Sequence, residues 1–295
     1  MARLALHNRF VAKREALIKV LVFTALALIC FAANSVLCRL ALKSGEMDPA
    51  TFTIVRLASG AIVLSLIVFA SGKKPQSAGN WISGVMLFVY AIAFSLAYVK
   101  LSAGTGALLL FGAVQATMII GSMVAKKNPT VAQWIGLSLA IAGVAYLLLP
   151  SISRPPLDRA AMMACAGIAW GIYSIRGAGG SDPVVATAGN FLRAAPLAII
   201  PFAILFKQTH YESHGILLAV LSGAITSGLG YVFWYTALPS LGSIRAAIVQ
   251  LTVPALAAAG GVLFLGEKLS QRLLISGAVI LGGVALAVFA GKKGK

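Results

Sequence analysis

Apolar stretches of about 20 residues, the length that crosses a bilayer as a helix, follow one another almost without pause along this 295-residue chain. In hydrocarbon every backbone N–H and C=O must be satisfied within the protein, so such stretches fold as helices. Reading along the chain places spans near residues 19–42, 49–71, 80–100, 103–125, 129–150, 158–177, 183–206, 215–237, 242–265 and 271–290. Turn chemistry separates several of them: Lys73–Lys74–Pro75, Lys126–Lys127–Asn128–Pro129, Arg154–Pro155–Pro156 and Asp182–Pro183. Pro49, Pro129 and Pro183 fall at or near the first turn of a span, where a missing N–H costs nothing. The expectation is an all-α integral membrane protein with ten transmembrane helices. Only 11% of the residues are charged, against about 25% in soluble domains, too few to cover a globule in water.

The formal net charge is +17. Lys and Arg collect at the chain ends and in alternate loops, as the positive-inside pattern requires, so the charge speaks for membrane orientation and against nucleic acid. Arg3, Arg9, Lys13, Arg14 and Lys19 precede or open the first span, and Lys73, Lys74, Lys126 and Lys127 share its side. Both termini are therefore expected in the cytoplasm of a cell with a bacterial-type inner membrane. The basic segment 1–18 reads as an amphipathic helix on a membrane surface or a mobile tail, and residues 291–295 as a basic tail. Cys30, Cys38 and Cys165 lie in apolar stretches and read as small buried residues.

The chain repeats itself. Shifted by 141, Tyr90 falls on Tyr231, Phe94 on Tyr235, Ser102 on Ser243 and Gly136 on Gly277; shifted by 137, Arg39 falls on Arg176 and Arg56 on Arg193. This divides the chain into five-helix halves at 19–150 and 158–290. An odd number of spans inserts the second half with opposite orientation. Inverted repeats are the architecture of transporters that expose a midplane site alternately to each side.

The landmarks of the second half are an aromatic-rich helix from Tyr231, then Gly242 to Arg245, Gln250, Pro254 and Gly266–Glu267. They resemble the C-terminal repeat of EamA-type carriers in the drug/metabolite transporter superfamily. The first half resembles that family too, through CFAANSVLCRLAL with Asn34 and Arg39, then Pro49, Arg56 and GTGALLLFGAVQATM. That last string is similar to the aromatic-amino-acid exporter branch. One departure is plain: Ala125–Lys126 stands where the first repeat could carry Gly–Glu. The resemblance implies ten helices around a central cavity, with the first, third, fourth, sixth, eighth and ninth lining it and the fifth and tenth packed aside. Gly136 and Gly143, with Gly277 and Gly283, give the fifth and tenth small residues at packing spacing, for each other or for a weak homodimer.

Residues fit to line a cavity are aromatic or neutral and polar. Tyr90, Phe94 and Tyr98 recur at i, i+4 and i+8, one face of a helix. Tyr231, Trp234 and Tyr235 sit on the eighth span, and Trp170, Tyr173 and Ser174 on the sixth. Asn34, Gln115, Asn190 and Gln250 are deep hydrogen-bonding groups, which in lipid face the bundle interior or hold helices together. Trp81, Trp134 and Tyr98, near span ends, read as interfacial anchors. The substrate-binding candidates are Asn34, Tyr90, Phe94, Gln115, Trp170, Tyr173, Tyr231, Trp234 and Gln250. Such walls suit an uncharged or zwitterionic solute with an apolar body, an amino acid or similar metabolite.

All seven acidic residues and all three histidines lie in termini, loops or span ends, so no intramembrane proton relay is visible. Arg39, Arg56, Arg176 and Arg193 read as lying toward span ends; brought to the centre, they would suit a phosphorylated or nucleotide-type solute. A membrane enzyme would carry H-E-x-x-H or G-x-S-x-G, and neither occurs. No cofactor or metal is expected. Pro254 and the glycines near 260 loosen the ninth span and can free backbone groups toward a cavity.

Overall fold

The structure is a computed structural model of the chain, and it describes residues 2–125, 130–149, 154–177 and 182–290. Lys126, Lys127, residues 178–181 and the 291–295 tail lie outside the described residues. Every long element is a helix: α1 (Ala2–Lys43), α2 (Pro49–Ala70), α3 (Trp81–Tyr98), α4 (Ala103–Ala125), α5 (Val131–Leu148), α6 (Leu157–Gly177), α7 (Pro183–Leu197), α8 (Ile199–Ile204), α9 (Ser213–Val220), α10 (Gly230–Gln250), α11 (Val253–Leu265) and α12 (Gln271–Ala290).

Among the described residues, seven helical stretches are long and apolar enough to cross a membrane: Leu17–Lys43, Pro49–Ala70, Trp81–Tyr98, Ala103–Gly121, Val131–Leu148, Pro183–Ile204 and Ser213–Leu241. Val253–Leu265 and Gln271–Ala287 are apolar but shorter. Together they define a multi-pass membrane protein. Trp81 and Trp134 are exposed at helix starts, as interfacial anchors are.

Local chemistry sets the boundaries. Asp48 caps α2, its Oδ1 accepting from the Ala50 and Thr51 amides at 3.0 and 2.9 Å, with Pro49 next in line. Asp182 caps α7 in the same way, accepting from the Val185 amide at 3.1 Å, followed by Pro183. Thr130 and Gln133 form a capping box at the start of α5.

Four elements differ from the sequence expectation. The basic N-terminal segment is helical and continuous with the first span, since α1 starts at Ala2. The stretch 183–206 is divided into α7 and α8 at Ala198, between Pro196 in α7 and Pro201 in α8, whose missing N–H cannot bond the Leu197 carbonyl four residues back. The break expected at 238–241 is absent: α10 runs through Pro239 to Gln250, and the chain turns at Leu251–Thr252 instead. Prolines are tolerated inside membrane helices when neighbours satisfy the freed groups. Finally, Leu221–Leu229, between α9 and α10, winds as a π-helix, a local widening frequent at functional sites.

The α5 and α12 helices pack on each other through their small residues. A Cβ built on Gly283 would lie 2.6 Å from the Gly136 carbonyl oxygen and 2.8 Å from the Ala140 amide. Those neighbours are backbone and cannot swing aside. Gly283→Leu is expected to separate the two helices and lower stability by about 3 kcal/mol or more, read as a fall in unfolding temperature in detergent; an unchanged temperature would contradict this packing. Gly277 instead has only Leu108 nearby, at 3.8 Å. The cysteines are free, with Cys30 and Cys38 buried but Cys165 exposed, against the expectation for the last.

Candidate functional site

The centre of the molecule is where α1, α2, α3, α4, α6, α10 and the π-helical stretch converge. A cavity there is lined by Phe31, Asn34, Tyr90, Phe94, Leu110, Phe111, Trp170, Thr226, Ser227 and Tyr231. Its volume is about 20 Å³, room for roughly one water. The conformation is contracted, with no space for a larger solute. Two larger recesses, about 310 Å³ between α4, α11 and α12 and about 290 Å³ between α4, α5, α6 and α12, are lined by apolar residues alone. They lack any polar group to orient a polar solute.

Aromatic rings form one wall. Trp170 stacks on Tyr231 (centroids 5.0 Å apart, 22° between planes) and on Tyr173 (5.3 Å, 24°), and meets Tyr90 at 4.9 Å. Tyr90 and Phe94 are 5.3 Å apart, and Phe94 meets Tyr98 edge-on at 4.6 Å. Each such pair contributes about 0.5–1.5 kcal/mol beyond its buried area. The i, i+4, i+8 face of α3 is thus wholly buried. That corrects the reading of Tyr98, which is no interfacial anchor: its hydroxyl donates to the Ala103 carbonyl at 3.3 Å.

Polar groups form the other wall. Asn34 donates to the Tyr90 hydroxyl at 3.3 Å, while its Oδ1 accepts from Ser222 at 2.7 Å and Thr226 at 3.3 Å. Ser222, Thr226 and Ser227 all lie on the π-helical stretch, which turns a run of hydroxyls toward α1 and α2. The structure adds a residue that sequence reasoning left at a span end. Arg56 is only 2% exposed. Its Nη2 donates to the Tyr90 hydroxyl at 2.9 Å and its Nε to Ser227 at 3.4 Å. Its guanidinium sits 5.0 Å and 4.9 Å from the ring centroids of Tyr90 and Phe94, a cation–π arrangement that contributes about 2 kcal/mol when desolvated.

Of the nine sequence candidates, Asn34, Tyr90, Phe94, Trp170 and Tyr231 line the cavity. The other four are buried but outside its lining. Tyr173 backs Trp170 and accepts from Asn190 at 3.4 Å. Trp234 meets Phe31 edge-on at 5.7 Å. Gln115 donates to Gln250 at 3.4 Å, tying α4 to α10. Phe31, Leu110, Phe111, Thr226 and Ser227 line the cavity without being among the sequence candidates, and Arg56, considered only for a phosphorylated solute, stands beside them. The depth of Arg56, seven residues beyond Pro49 in a helix rising about 1.5 Å per residue, is a signal that could have found it.

Opposite ends of the bundle are tied by polar contacts. At one, Arg39 pairs with Glu267 at 3.2 Å, both side chains 11% exposed. Arg39 Nη1 also donates to the Tyr98 and Val99 carbonyls, both at 2.8 Å, and Glu267 Oε2 accepts from the Ala103 amide at 2.8 Å. One ion pair therefore joins α1, the end of α3, the start of α4 and the loop after α11. At the other end of α2, Lys73 donates to Asp182 at 2.6 Å and Asn190 Oδ1 accepts from the Asn80 amide at 2.9 Å. Arg193 donates there to the Ala78 carbonyl at 3.1 Å.

The Lys73 ammonium hydrogen-bonded to Asp182 holds that carboxyl below its ordinary range. The lowered value means that this pair stabilises the fold above the unfolded carboxylate pKa, near 4, and is lost as pH falls through the lower folded value. The pair is partly exposed, so its contribution is at most about 1 kcal/mol. Asp182→Asn, which keeps a capping oxygen, is expected to flatten the fall in unfolding temperature between pH 5 and pH 3 slightly; an unaltered curve would count against the pair.

Several membrane-capable helices around a small centre with aromatic and hydroxyl walls define a carrier-type membrane protein. The chain belongs to the EamA-like transporter family, whose model matches residues 18–149 and 160–289. It is 46% identical over 269 residues to an uncharacterized protein of Pseudomonas aeruginosa, covering 91% of this chain and 94% of that one. It is 27% identical over 253 residues to the threonine/homoserine exporter RhtA of Escherichia coli K12, covering 82% and 83%. A solved crystal structure shares the fold, with a TM-score of 0.64 at 20% identity, covering 91% of this chain and 99% of that one.

Proposed function

We propose that this protein exports amino acids, neutral or aromatic ones, or similar small metabolites by alternating access. The observation that carries this reading is the central cavity, whose aromatic stack and neutral hydrogen-bonding groups are enclosed between polar closures at opposite ends of the bundle. An aromatic wall receives an apolar body, and Asn34 with Ser222 and Thr226 supplies donors and acceptors for polar ends. The exporter among its relatives supports an amino-acid cargo, and the GTGALLLFGAVQATM string supports the aromatic branch.

This reading counts α6 and the shorter α11 and α12 with the seven membrane-capable stretches, the ten crossings that two inverted five-helix repeats require. The polar ties at the two ends are then the two gates, one of which opens while the other holds. The glycine faces of α5 and α12 are used against each other, which favours a monomer. Both termini lie in the cytoplasm of a bacterial cell, and the bilayer and the solute are the partners.

The test is overproduction in a bacterium lacking its own amino-acid exporters. Cells are expected to tolerate higher external threonine, homoserine or phenylalanine and to accumulate less of them. Unchanged tolerance and unchanged internal pools for all three would contradict the reading.

A further inference from the structure

We propose that Arg56 anchors a carboxylate of the carried solute, an assignment that rests on the central cavity being the substrate site. A guanidinium stays protonated in any protein environment, so α2 carries a fixed positive charge into the middle of the bundle. Leaving such a charge unpaired in a low-dielectric interior costs several kcal/mol. Yet among the described residues the groups that hold its guanidinium are neutral: the Tyr90 hydroxyl, the Ser227 hydroxyl and the two ring faces.

Its remaining nitrogen, Nη1, is buried and has no hydrogen-bond partner. The four ion pairs among the described residues employ Arg39, Lys73, Arg159 and His214, none of them Arg56. Among the described residues, this cation thus has one free arm and no counter-ion. Two of its partners, Tyr90 and Ser227, line the cavity.

The missing partner is an anion of one charge. A carboxylate matches the planar fork with two parallel N–H···O bonds and neutralises the site. A doubly charged phosphate ester would leave a net negative charge, because the cavity lining itself contains no Lys or Arg and Arg56 stands behind it on Tyr90 and Ser227. The apolar body of a carboxylate solute then lies on the rings of Trp170, Tyr231 and Phe31, and an α-ammonium is accommodated against the same ring faces. Because the contracted cavity admits about one water, the anion enters only when a gate opens. Its charge offsets the cost of the buried guanidinium and favours closure around it.

The test measures the unfolding temperature of the purified protein in detergent against phenylacetate, phenylacetamide and phenyl phosphate. Phenylacetate is expected to raise it saturably, with the amide and the phosphate ester binding at least about tenfold more weakly, as the loss of a charged hydrogen-bond pair implies. Arg56→Gln is expected to abolish the phenylacetate response. Arg56→Lys, which keeps the charge and loses the fork, weakens it about tenfold. The acid-against-amide comparison in the unaltered protein stands even if a variant fails to fold. An amide as effective as the acid, a phosphate ester more effective, a response retained in Arg56→Gln, or no response to phenylacetate would each overturn the assignment. Carboxylate-selective stabilisation without amino-acid export would instead sink the amino-acid reading and leave Arg56 as an anion anchor.

Discussion

Trp170→Ala is expected to reduce transport by at least about tenfold and to destabilise the protein by about 3–5 kcal/mol, the cost of truncating a large buried aromatic. Three rings pack on it: Tyr90, Tyr173 and Tyr231 all lie within 5.3 Å of it, centroid to centroid. Its loss opens the wall of the cavity and unseats Tyr231 from one face. Trp170→Phe keeps a ring of smaller area and is expected to retain most of the stability while losing affinity. The two effects separate in two measurements, exchange rate in liposomes and unfolding temperature in detergent. An alanine variant that transports at the normal rate would show that this wall does not meet the solute.

The second large effect belongs to the Arg39–Glu267 pair, a gate in the proposed mechanism. Glu267→Gln leaves Arg39 with its two carbonyl acceptors and no counter-charge, and removing one partner of a buried pair costs about 3–5 kcal/mol. The pair is slightly exposed, so the lower figure applies. A change of about 3 kcal/mol moves a two-state equilibrium roughly a hundredfold, enough to favour the state in which this end is open. A cysteine at Ser102, beside the start of α4, is expected to react faster with a charged thiol reagent in the Glu267→Gln background, while exchange slows. Equal labelling rates in both backgrounds would mean that the ion pair holds local structure without gating.

No matching acid occupies the corresponding place in the first half, where Lys126 stands. The opposite end relies instead on Lys73–Asp182 and on backbone contacts from Asn80 and Ala78. The two closures thus differ in kind, and the Arg39–Glu267 end is the one most sensitive to a single substitution.

The helical, membrane-bound character was readable because hydrocarbon leaves a chain few options, and twenty apolar residues in a row have one meaning. The stripe Tyr90–Phe94–Tyr98 was readable as a face because helical spacing fixes direction. What that spacing does not contain is depth. Tyr98 does end α3, yet Gly106 of α4 lies against its ring and buries it, while Arg56, read as lying toward a span end, is buried by the packing of α2 against the π-helical stretch. The π-helix had no sequence signature: Ser222, Gly223, Thr226 and Ser227 fit an ordinary helix equally well.

The close approach of Gly223 to the Arg56 carbonyl is a tertiary fact, and it is what sets the hydroxyls beside the guanidinium. Gln115 and Gln250 were correctly read as deep polar groups. That they bond to each other rather than line the cavity depends on the angle between α4 and α10. The turn at Leu251–Thr252 was missed because Pro239 and Gly242 looked like stronger breakers than the chain ahead of Pro254.

The measurement that tests the central claim most directly is counterflow in liposomes of the purified protein, loaded with unlabelled threonine or phenylalanine and given the labelled amino acid outside. Saturable accumulation of label, abolished in Trp170→Ala, is the result expected of a carrier with its site at the central cavity. Label that fails to accumulate above protein-free liposomes for either amino acid, with the protein shown to be folded, would contradict the account.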